Sequence, residues 1–150
     1  MSNFGSVDEV LDFAVKREEE SERFYLEMAK RVEKMGKIFE QFAAEERGHK
    51  AKLLRVKENK RLITKSSKPV QDLKISDYLE EKEPTPGMDY ADALVLAMKK
   101  EKRAFKLYSD LADAAESDEM AEFFRGLAQE EAKHKLRFEV EYDDYVLREN

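Results

Sequence analysis

The sequence predicts an all-α protein built as a bundle of four long helices. Two long stretches, about 6–59 and 89–147, are rich in Ala, Leu, Glu, Lys and Arg and nearly free of helix breakers. All three prolines fall between these stretches, in residues 60–88, and Gly87 directly follows the last one. Because proline interrupts helices and glycine marks turns, residues 60–88 are predicted to be a connection. A length of 150 residues suits one compact domain, so we predict that 1–150 fold as a single unit.

Each long stretch exceeds the length of an ordinary helix, and each contains a break. Lys34–Gly36 interrupts the first stretch, and Glu116–Asp118 interrupts the second, with Ser117 as a candidate N-cap. Ser6–Glu9 has the form of a capping box that opens the first helix. The predicted helices therefore lie near 6–33, 37–59, 89–115 and 118–146.

Apolar and small residues recur along each predicted helix at alternating spacings of four and three, which is a heptad seam facing a bundle core. The seam of the first helix contains Val7, Leu11, Ala14, Glu18, Ser21, Tyr25, Met28 and Val32. An offset of 83 residues converts this set into the seam of the third helix, Tyr90, Leu94, Ala97, Glu101, Ala104, Tyr108, Leu111 and Ala115. An offset of 85 converts Met35, Phe39, Phe42, Glu46 and His49 into Met120, Phe124, Leu127, Glu131 and His134. The sequence therefore predicts an internal duplication of one helical hairpin.

Ionisable side chains interrupt the middle of every seam. They are Glu18 and Glu101 singly, and Glu46/His49 and Glu131/His134 as pairs three residues apart. The seam through Glu46 leads to Leu53, whereas a seam through its neighbour Glu45 leads to a lysine. The same comparison on the fourth helix favours Glu131 over Glu130. Glu46 and Glu131 are therefore predicted to point into the core, and their neighbours are not.

Four carboxylates and two imidazoles in one core layer need a compensating charge. Unpaired buried ions are costly, like-charged carboxylates raise each other's pKa, and no Lys or Arg lies on the seams. Two divalent metal ions would balance the four negative charges, and one imidazole would complete each ligand set. Such carboxylate-rich sites suit iron or manganese, with zinc as a common substitute. The predicted ligands are Glu18, Glu46, His49, Glu101, Glu131 and His134.

Simpler interpretations apply to some of these residues. A single Glu-x-x-His on a helix is usually part of a solvated face, and 41% of the residues are charged. Two copies in matching positions, each with a companion Glu, favour the metal site instead. Tyr25 and Tyr108 lie seven residues beyond the single glutamates. They either fill the core or hydrogen-bond a metal-bound carboxylate, and the sequence leaves both open.

The spacing Glu18-x6-Tyr25, Glu46-x-x-His49, Glu101-x6-Tyr108, Glu131-x-x-His134 resembles the rubrerythrin-like branch of the ferritin-like di-iron carboxylate proteins. The resemblance covers nearly the whole chain. It implies a ferritin-like four-helix bundle, in which two antiparallel hairpins are joined by a long crossover running the length of the bundle. It also implies a centre of two metal ions, iron before manganese or zinc, that reacts with hydrogen peroxide or dioxygen.

The chain departs from this family in two respects. Full-length rubrerythrins carry a rubredoxin module with a four-cysteine iron site, but this sequence contains no cysteine. We therefore expect an external electron-donor protein. Peroxidase members also have an extra ligand carboxylate near the glutamate of the third helix. The neighbouring core-side residues here are not acidic: Ala97, Met98, Ala104 and Phe105.

Composition excludes other classes of partner. The formal net charge of −6 argues against a nucleic-acid-binding protein. No apolar run approaches the roughly 20 residues needed to cross a bilayer, and the first residues lack a signal-peptide pattern. We therefore expect a cytoplasmic protein that binds neither nucleic acid nor membrane.

Four functions fit these observations. The first is an oxidoreductase that takes its electrons from an external donor. In it Glu46 and Glu131 bridge or chelate the metals, Glu18 and Glu101 are terminal ligands, and His49 and His134 bind one metal each. The others are ferroxidation or iron storage, a bundle with purely structural metals, and a protein-binding module. Air-dependent spectral changes would separate the first two from the last two. We also expect a homodimer or higher homo-oligomer, whose size would separate storage from a small assembly.

Overall fold

The fold is taken from a computed structural model that describes residues 7–32, 35–58, 89–115 and 117–149. Within these ranges the chain forms four helices and no strand. They are α1 (Val7–Arg31), α2 (Gly36–Glu58), α3 (Tyr90–Ala114) and α4 (Asp118–Glu149). The all-α prediction is confirmed, and every predicted boundary lies within three residues of the observed one. None of the four described helices is both long and apolar enough to cross a membrane.

Side-chain caps begin two of the helices. Asp89 precedes α3, and its carboxylate accepts a hydrogen bond from the backbone N–H of Asp92 at 2.8 Å. Ser117 precedes α4, and its hydroxyl oxygen accepts from the N–H of Met120 at 3.1 Å. Each cap satisfies one of the backbone donors that a helix leaves unpaired at its N-terminus. The predicted N-cap at Ser117 is confirmed.

Two predictions concern residues outside the described ranges. One is the capping box that begins at Ser6, and the other is the crossover over 60–88 with its prolines and Gly87. The prediction of a single domain over 1–150 includes these residues and stays a prediction.

Ion pairs show that α1 and α2 are antiparallel. Glu22 pairs with Arg47 at 2.7 Å, and Asp12, nearer the start of α1, pairs with Lys57, nearer the end of α2. These exposed pairs each contribute little to stability, but their order gives the direction of the helices. The two helices form the first hairpin.

Ring contacts show the same relation in the second hairpin. Tyr90 at the start of α3 contacts Tyr145 near the end of α4, with ring centroids 5.1 Å apart. Tyr108, further along α3, contacts Phe124, near the start of α4, at 6.4 Å. The helices α3 and α4 are therefore antiparallel, as predicted.

The two hairpins meet so that α1 is antiparallel to α3. Tyr25 on α1 donates a hydrogen bond to Glu101 on α3, and Tyr108 on α3 donates to Glu18 on α1. Since α1 is also antiparallel to α2, α2 and α3 run in the same direction. The end of α2 and the start of α3 therefore lie at opposite ends of the bundle.

Apolar side chains fill the bundle in two clusters, one on each side of a buried polar layer. The cluster that we call aliphatic, because all but two of its members have no aromatic ring, consists of Val10, Leu11, Ala14, Leu53, Val56, Ala104, Leu107, Tyr108, Leu111, Ala112, Met120, Phe124, Leu127 and Ala128. The aromatic cluster consists of Phe24, Tyr25, Met28, Met35, Phe39, Phe42, Ala43, Ala93, Leu94, Leu96, Ala97 and Phe138. These clusters hold the four helices in register, because close-packed side chains resist displacement. They thereby position the polar layer between them.

Candidate metal centre

The six predicted ligand residues all lie in the polar layer. None of them is more than 4% exposed, although each carries an ionisable side chain. Each helix supplies one or two of these residues, from the part of its seam that lies between the two apolar clusters. These residues are Glu18 of α1, Glu46 and His49 of α2, Glu101 of α3, and Glu131 and His134 of α4.

The choice between adjacent glutamates is confirmed on both hairpins. Glu46 is 1% exposed, whereas the side chain of Glu45 is 36% exposed. Glu131 is likewise 1% exposed, whereas the side chain of Glu130 is 42% exposed. Adjacent helical residues differ in direction by about 100°, so only one of each pair can face the core.

The six side chains form two overlapping groups. In each group the candidate ligand atoms all lie within 4.8 Å of one another. The first group is Glu18, Glu46, His49 and Glu131. The second group is Glu46, Glu101, Glu131 and His134. Each group therefore has its own histidine and its own single glutamate, while Glu46 and Glu131 belong to both.

Each histidine presents its Nδ1 atom to both hairpins. His49 Nδ1 lies 2.8 Å from Glu131 Oε1 and 3.8 Å from an oxygen of Glu18. The corresponding atom of His134 lies 3.1 Å from Glu46 Oε1 and 3.5 Å from Glu101 Oε1. Every histidine thus faces the shared glutamate of the other hairpin and the single glutamate of its own.

Each of the six side chains also has a buried polar atom without a hydrogen bond. The atoms are Glu18 Oε2, Glu46 Oε1, His49 Nδ1, Glu101 Oε2, Glu131 Oε1 and His134 Nδ1. Even the 2.8 Å contact of His49 Nδ1 with Glu131 therefore lacks hydrogen-bond geometry. Buried polar atoms are nearly always satisfied in folded proteins, and each exception requires an explanation. Oxygen and imidazole ligand atoms that converge without hydrogen bonding to one another fit a pair of divalent cations.

Burial and mutual repulsion perturb the central carboxyl groups in the absence of metal. Burial, followed by the charge of Glu131, raises the pKa of Glu46 well above its ordinary value. Burial and the charge of Glu101 do the same to the pKa of Glu131. Burial also acts to raise the pKa of Glu101, but polar contacts with Glu131 and His134 outweigh it and the pKa is lowered. Such opposite shifts within one cluster are typical of functional sites.

Both tyrosines bond the single glutamate of the other hairpin. The hydroxyl of Tyr25 donates to Glu101 Oε1, and that of Tyr108 donates to Glu18 Oε1. Burial and the neighbouring carboxylates raise the pKa of both hydroxyls well above the ordinary value, so they stay protonated and remain donors. Both rings also fill the core, at no more than 1% exposure. The two interpretations left open by the sequence are therefore compatible.

The model of the rubrerythrin family matches residues 9–85 and 92–150. This chain belongs to the rubrerythrin family. A solved structure from Thermotoga maritima, described as a proposed ferritin-like diiron-carboxylate protein, has the same fold, with a TM-score of 0.75 at 19% identity. That match covers 97% of this chain and 99% of the other. No curated protein matches the sequence significantly. The resemblance to rubrerythrins and the ferritin-like fold are thereby confirmed.

Sequence reasoning missed one carboxylate at this rubrerythrin-type site. Glu45 lies off the seam, yet its Oε2 atom is 2.5 Å from Nε2 of His134 on the other hairpin. Its duplicate Glu130 has no such contact among the described residues and lies 3.9 Å from Lys133. In the sequence, Glu45 and Glu130 are both acidic residues that lie beside a seam. The sequence therefore does not show that only Glu45 contacts a histidine of the other hairpin.

Two buried cations were also missed. Arg17 and Lys100, related by the offset of 83, are 7% and 4% exposed. The guanidinium of Arg17 donates to the carbonyl oxygen of Lys100 at 3.3 Å, and the Lys100 ammonium lies 5.2 Å from the centre of the Phe24 ring. Both residues lie beside the seams, where long side chains can bury their stems. Because neither residue lies on a seam, the register of the seams does not predict their burial.

Proposed function

We propose that the six buried side chains bind two iron ions and that the reduced centre is oxidised by hydrogen peroxide or dioxygen. The supporting observation is the set of six buried, unsatisfied ligand atoms, which converge in two overlapping groups. Membership of the rubrerythrin family supports the same assignment. A bundle without metal would retain four crowded carboxylates at a large electrostatic cost.

In this proposal Glu46 and Glu131 would help to hold both ions, because they belong to both groups. Glu18 and His49 would complete the ligands of one ion, and Glu101 and His134 would complete those of the other. Four carboxylates then balance two divalent ions. One nitrogen among oxygen ligands suits iron or manganese and also accepts zinc. Bound iron would supply two electrons, one from each ferrous ion.

The protein controls this chemistry through the groups around the ligands. Tyr25 and Tyr108 hold the carboxylates of Glu101 and Glu18 by hydrogen bonds, which limits how far those carboxylates can rotate. The two apolar clusters exclude bulk water from both sides of the polar layer. Low polarity around the site strengthens every electrostatic interaction within it.

Sustained turnover requires an electron donor outside these 150 residues. The sequence has no cysteine and so holds no four-cysteine iron centre. We propose a separate donor protein, which would act in the cytoplasm on a homodimer or higher homo-oligomer. The acidic surface would favour a donor or carrier with a basic contact face.

The test is stopped-flow absorbance of protein loaded with ferrous iron under anaerobic conditions. Mixing with peroxide, or separately with dioxygen, should produce a ferric absorption change in a single turnover, and a reductase with a small carrier should restore the starting spectrum. Oxidation with release or deposition of iron, instead of restored turnover, would indicate ferroxidation. Two bound irons that neither oxidant affects within minutes would overturn the redox proposal and favour structural metals.

A further inference from the structure

We propose that Glu45 is a positioning residue for His134, and that it makes the metal position at His134 the tighter of the two. This inference rests on the proposed function, because it concerns how the two ions are bound. It adds a residue outside the six ligands and predicts an order of loading. The observation behind it is a contact present on one hairpin and missing from its duplicate.

Glu45 and the cluster contact opposite nitrogens of the His134 ring. Nε2 lies 2.5 Å from Glu45 Oε2, while Nδ1 faces Glu46 at 3.1 Å and Glu101 at 3.5 Å. A neutral imidazole carries one proton, which resides on the nitrogen that makes a hydrogen bond. Only Nε2 makes one, because the Nδ1 contacts with Glu46 and Glu101 lack hydrogen-bond geometry. The carboxylate of Glu45 therefore keeps the proton on Nε2 and leaves the lone pair of Nδ1 directed at the metal position.

The face of the same ring is held as well. Phe42, one turn before Glu46 on α2, stacks on His134 with ring centroids 4.3 Å apart and an interplanar angle of 29°. Since Glu45 is also on α2, this one helix restrains both the edge and the face of the imidazole. The His134 ring is therefore already oriented towards the metal position and would lose little rotational freedom on binding metal.

Among the described residues, His49 has neither a carboxylate on Nε2 nor a phenyl ring stacked on its face, and its one ring contact is with His134 at 6.4 Å. The offset of 85 relates Phe42 to Leu127 and Glu45 to Glu130, so an aliphatic side chain replaces the stacking ring. Glu130 is 42% exposed on its side chain and lies near Lys133. Among the described residues, the carboxylate contacts of His49 involve only Nδ1. The tautomer and orientation of His49 are therefore less constrained.

An oriented histidine binds metal more tightly. Carboxylates that accept the second N–H of a metal-ligating histidine raise its basicity, and their loss typically costs roughly 10–100-fold in affinity or activity. The two metal positions should then differ in affinity, with the position at His134 filled first. Duplication alone would predict two equal positions.

The experiment titrates the metal-free full-length chain with cobalt(II) under anaerobic conditions, following visible absorption against a competing chelator. The unsubstituted chain should bind two ions with unequal affinities. Glu45→Ala should weaken the tighter step by roughly 10–100-fold and leave the weaker step unchanged. Glu45→Gln retains an oxygen acceptor and should recover part of the loss. Glu130→Ala is the matched control and should change neither step.

A double-substitution cycle tests whether Glu45 acts through His134. In a His49→Ala background, Glu45→Ala should still weaken cobalt binding by the same factor. In a His134→Ala background it should have no effect, because its contact is already lost. Circular dichroism should show equal helix content in all variants, which separates a local effect from a loss of fold.

Two results would overturn the inference while leaving the proposed function intact. The first is binding of two ions by the Glu45→Ala variant with unchanged affinities. The second is an equal loss in both histidine backgrounds, which would mean that Glu45 acts on the bundle as a whole. If the unsubstituted chain binds neither cobalt nor ferrous iron, the proposed function itself fails and this inference fails with it.

Discussion

The two ends of the polar layer share their ligand types but differ in their surroundings. At the end of the aromatic cluster, Tyr25 contacts four rings, those of Phe24, Phe39, Phe42 and Phe138. At the end of the aliphatic cluster, its duplicate Tyr108 stacks on the ring of Phe124. The hydrogen bonds of both tyrosines to glutamate are nevertheless equivalent.

This difference separates two kinds of constraint on a duplicated protein. The ligand atoms must meet the geometry and charge of a metal, so the three ligand positions of one hairpin carry the same residue types as the three of the other. Core positions need only fill volume, and hydrophobic residues of about the right size substitute for one another. Ring-to-aliphatic differences such as Phe42 against Leu127 therefore accumulate around the site. The two ends of the site are therefore packed differently, and Phe42 restrains the ring of His134.

The largest effect is expected from residues that serve both ends. Glu46→Ala, or equally Glu131→Ala, should reduce bound metal from two ions per chain to one or none, because each removes a ligand common to both groups. Glu130→Ala is the control and should retain two ions, since that residue points away from the core. Elemental analysis against protein concentration measures the result. Equal metal loss in all three variants would show that the two shared positions have no special role.

Removal of the metal should destabilise both ends together. A ligand present at 100 times its Kd adds about 2.7 kcal/mol to the free energy of unfolding, and two ions contribute separately. Chelation should therefore lower the melting temperature measured by calorimetry. A melting temperature that full chelation leaves unchanged would contradict a buried site.

The metal-free chain should also lose stability as the pH rises. Burial raises the pKa of Glu46 and Glu131 in the folded state, so that state binds protons more tightly than the unfolded chain. Their stabilising contribution is complete below the ordinary carboxyl pKa and is lost as the pH rises through the raised values. Glu101, whose pKa is lowered, contributes in the opposite sense. Denaturant unfolding of chelated protein from pH 5 to 8 measures the net slope, which should be negative.

An intermediate effect is expected at the tyrosines, where the two ends are equivalent in bonding but not in packing. Tyr25→Phe and Tyr108→Phe keep the rings and remove the hydrogen bonds to Glu101 and Glu18. Each should slow oxidation of the ferrous protein by up to roughly 10–100-fold while bound iron stays at two per chain. Stopped-flow absorbance and elemental analysis give the two quantities. If the oxidation rate is unchanged in both variants, the tyrosines only fill the core.

The smallest effect is expected at two exposed glycines, one on each hairpin. A methyl group at Gly48 or Gly126 would meet nothing within 4 Å. Alanine at either position should therefore raise the free energy of unfolding by about 0.4–1 kcal/mol, because the unfolded chain becomes less flexible. Denaturant unfolding measures this gain. A loss of stability at either glycine would contradict the open space around it.

Composition and helix breakers were sufficient to predict the helices, and heptad register was sufficient to predict which acids are buried. The period of a helix determines which residues share a face, so it separated Glu46 from Glu45 and Glu131 from Glu130. Duplication strengthened each assignment because the same polar residues interrupted both copies. These features are local to a helix or repeated along the chain, so they can be predicted from the spacing of residues in the sequence.

Contacts between hairpins could not be predicted in the same way. Spacing places Tyr25 near the site, but which glutamate receives its hydroxyl depends on how α1 packs against α3. The contact of Glu45 with His134 depends on the rotation of α2 against α4 and on both side-chain rotamers. Burial of Arg17 likewise depends on a neighbouring helix. Three-dimensional packing determines such contacts, so they required the structure.

The most direct test of the two-metal centre is the metal content of the unsubstituted chain. Protein purified without oxygen and incubated with ferrous iron, then freed of loosely bound metal on a desalting column, should contain two iron ions per chain by elemental analysis. Protein that retains no stoichiometric metal after this treatment would contradict the account, because the six buried ligand atoms would then have no ion to bind.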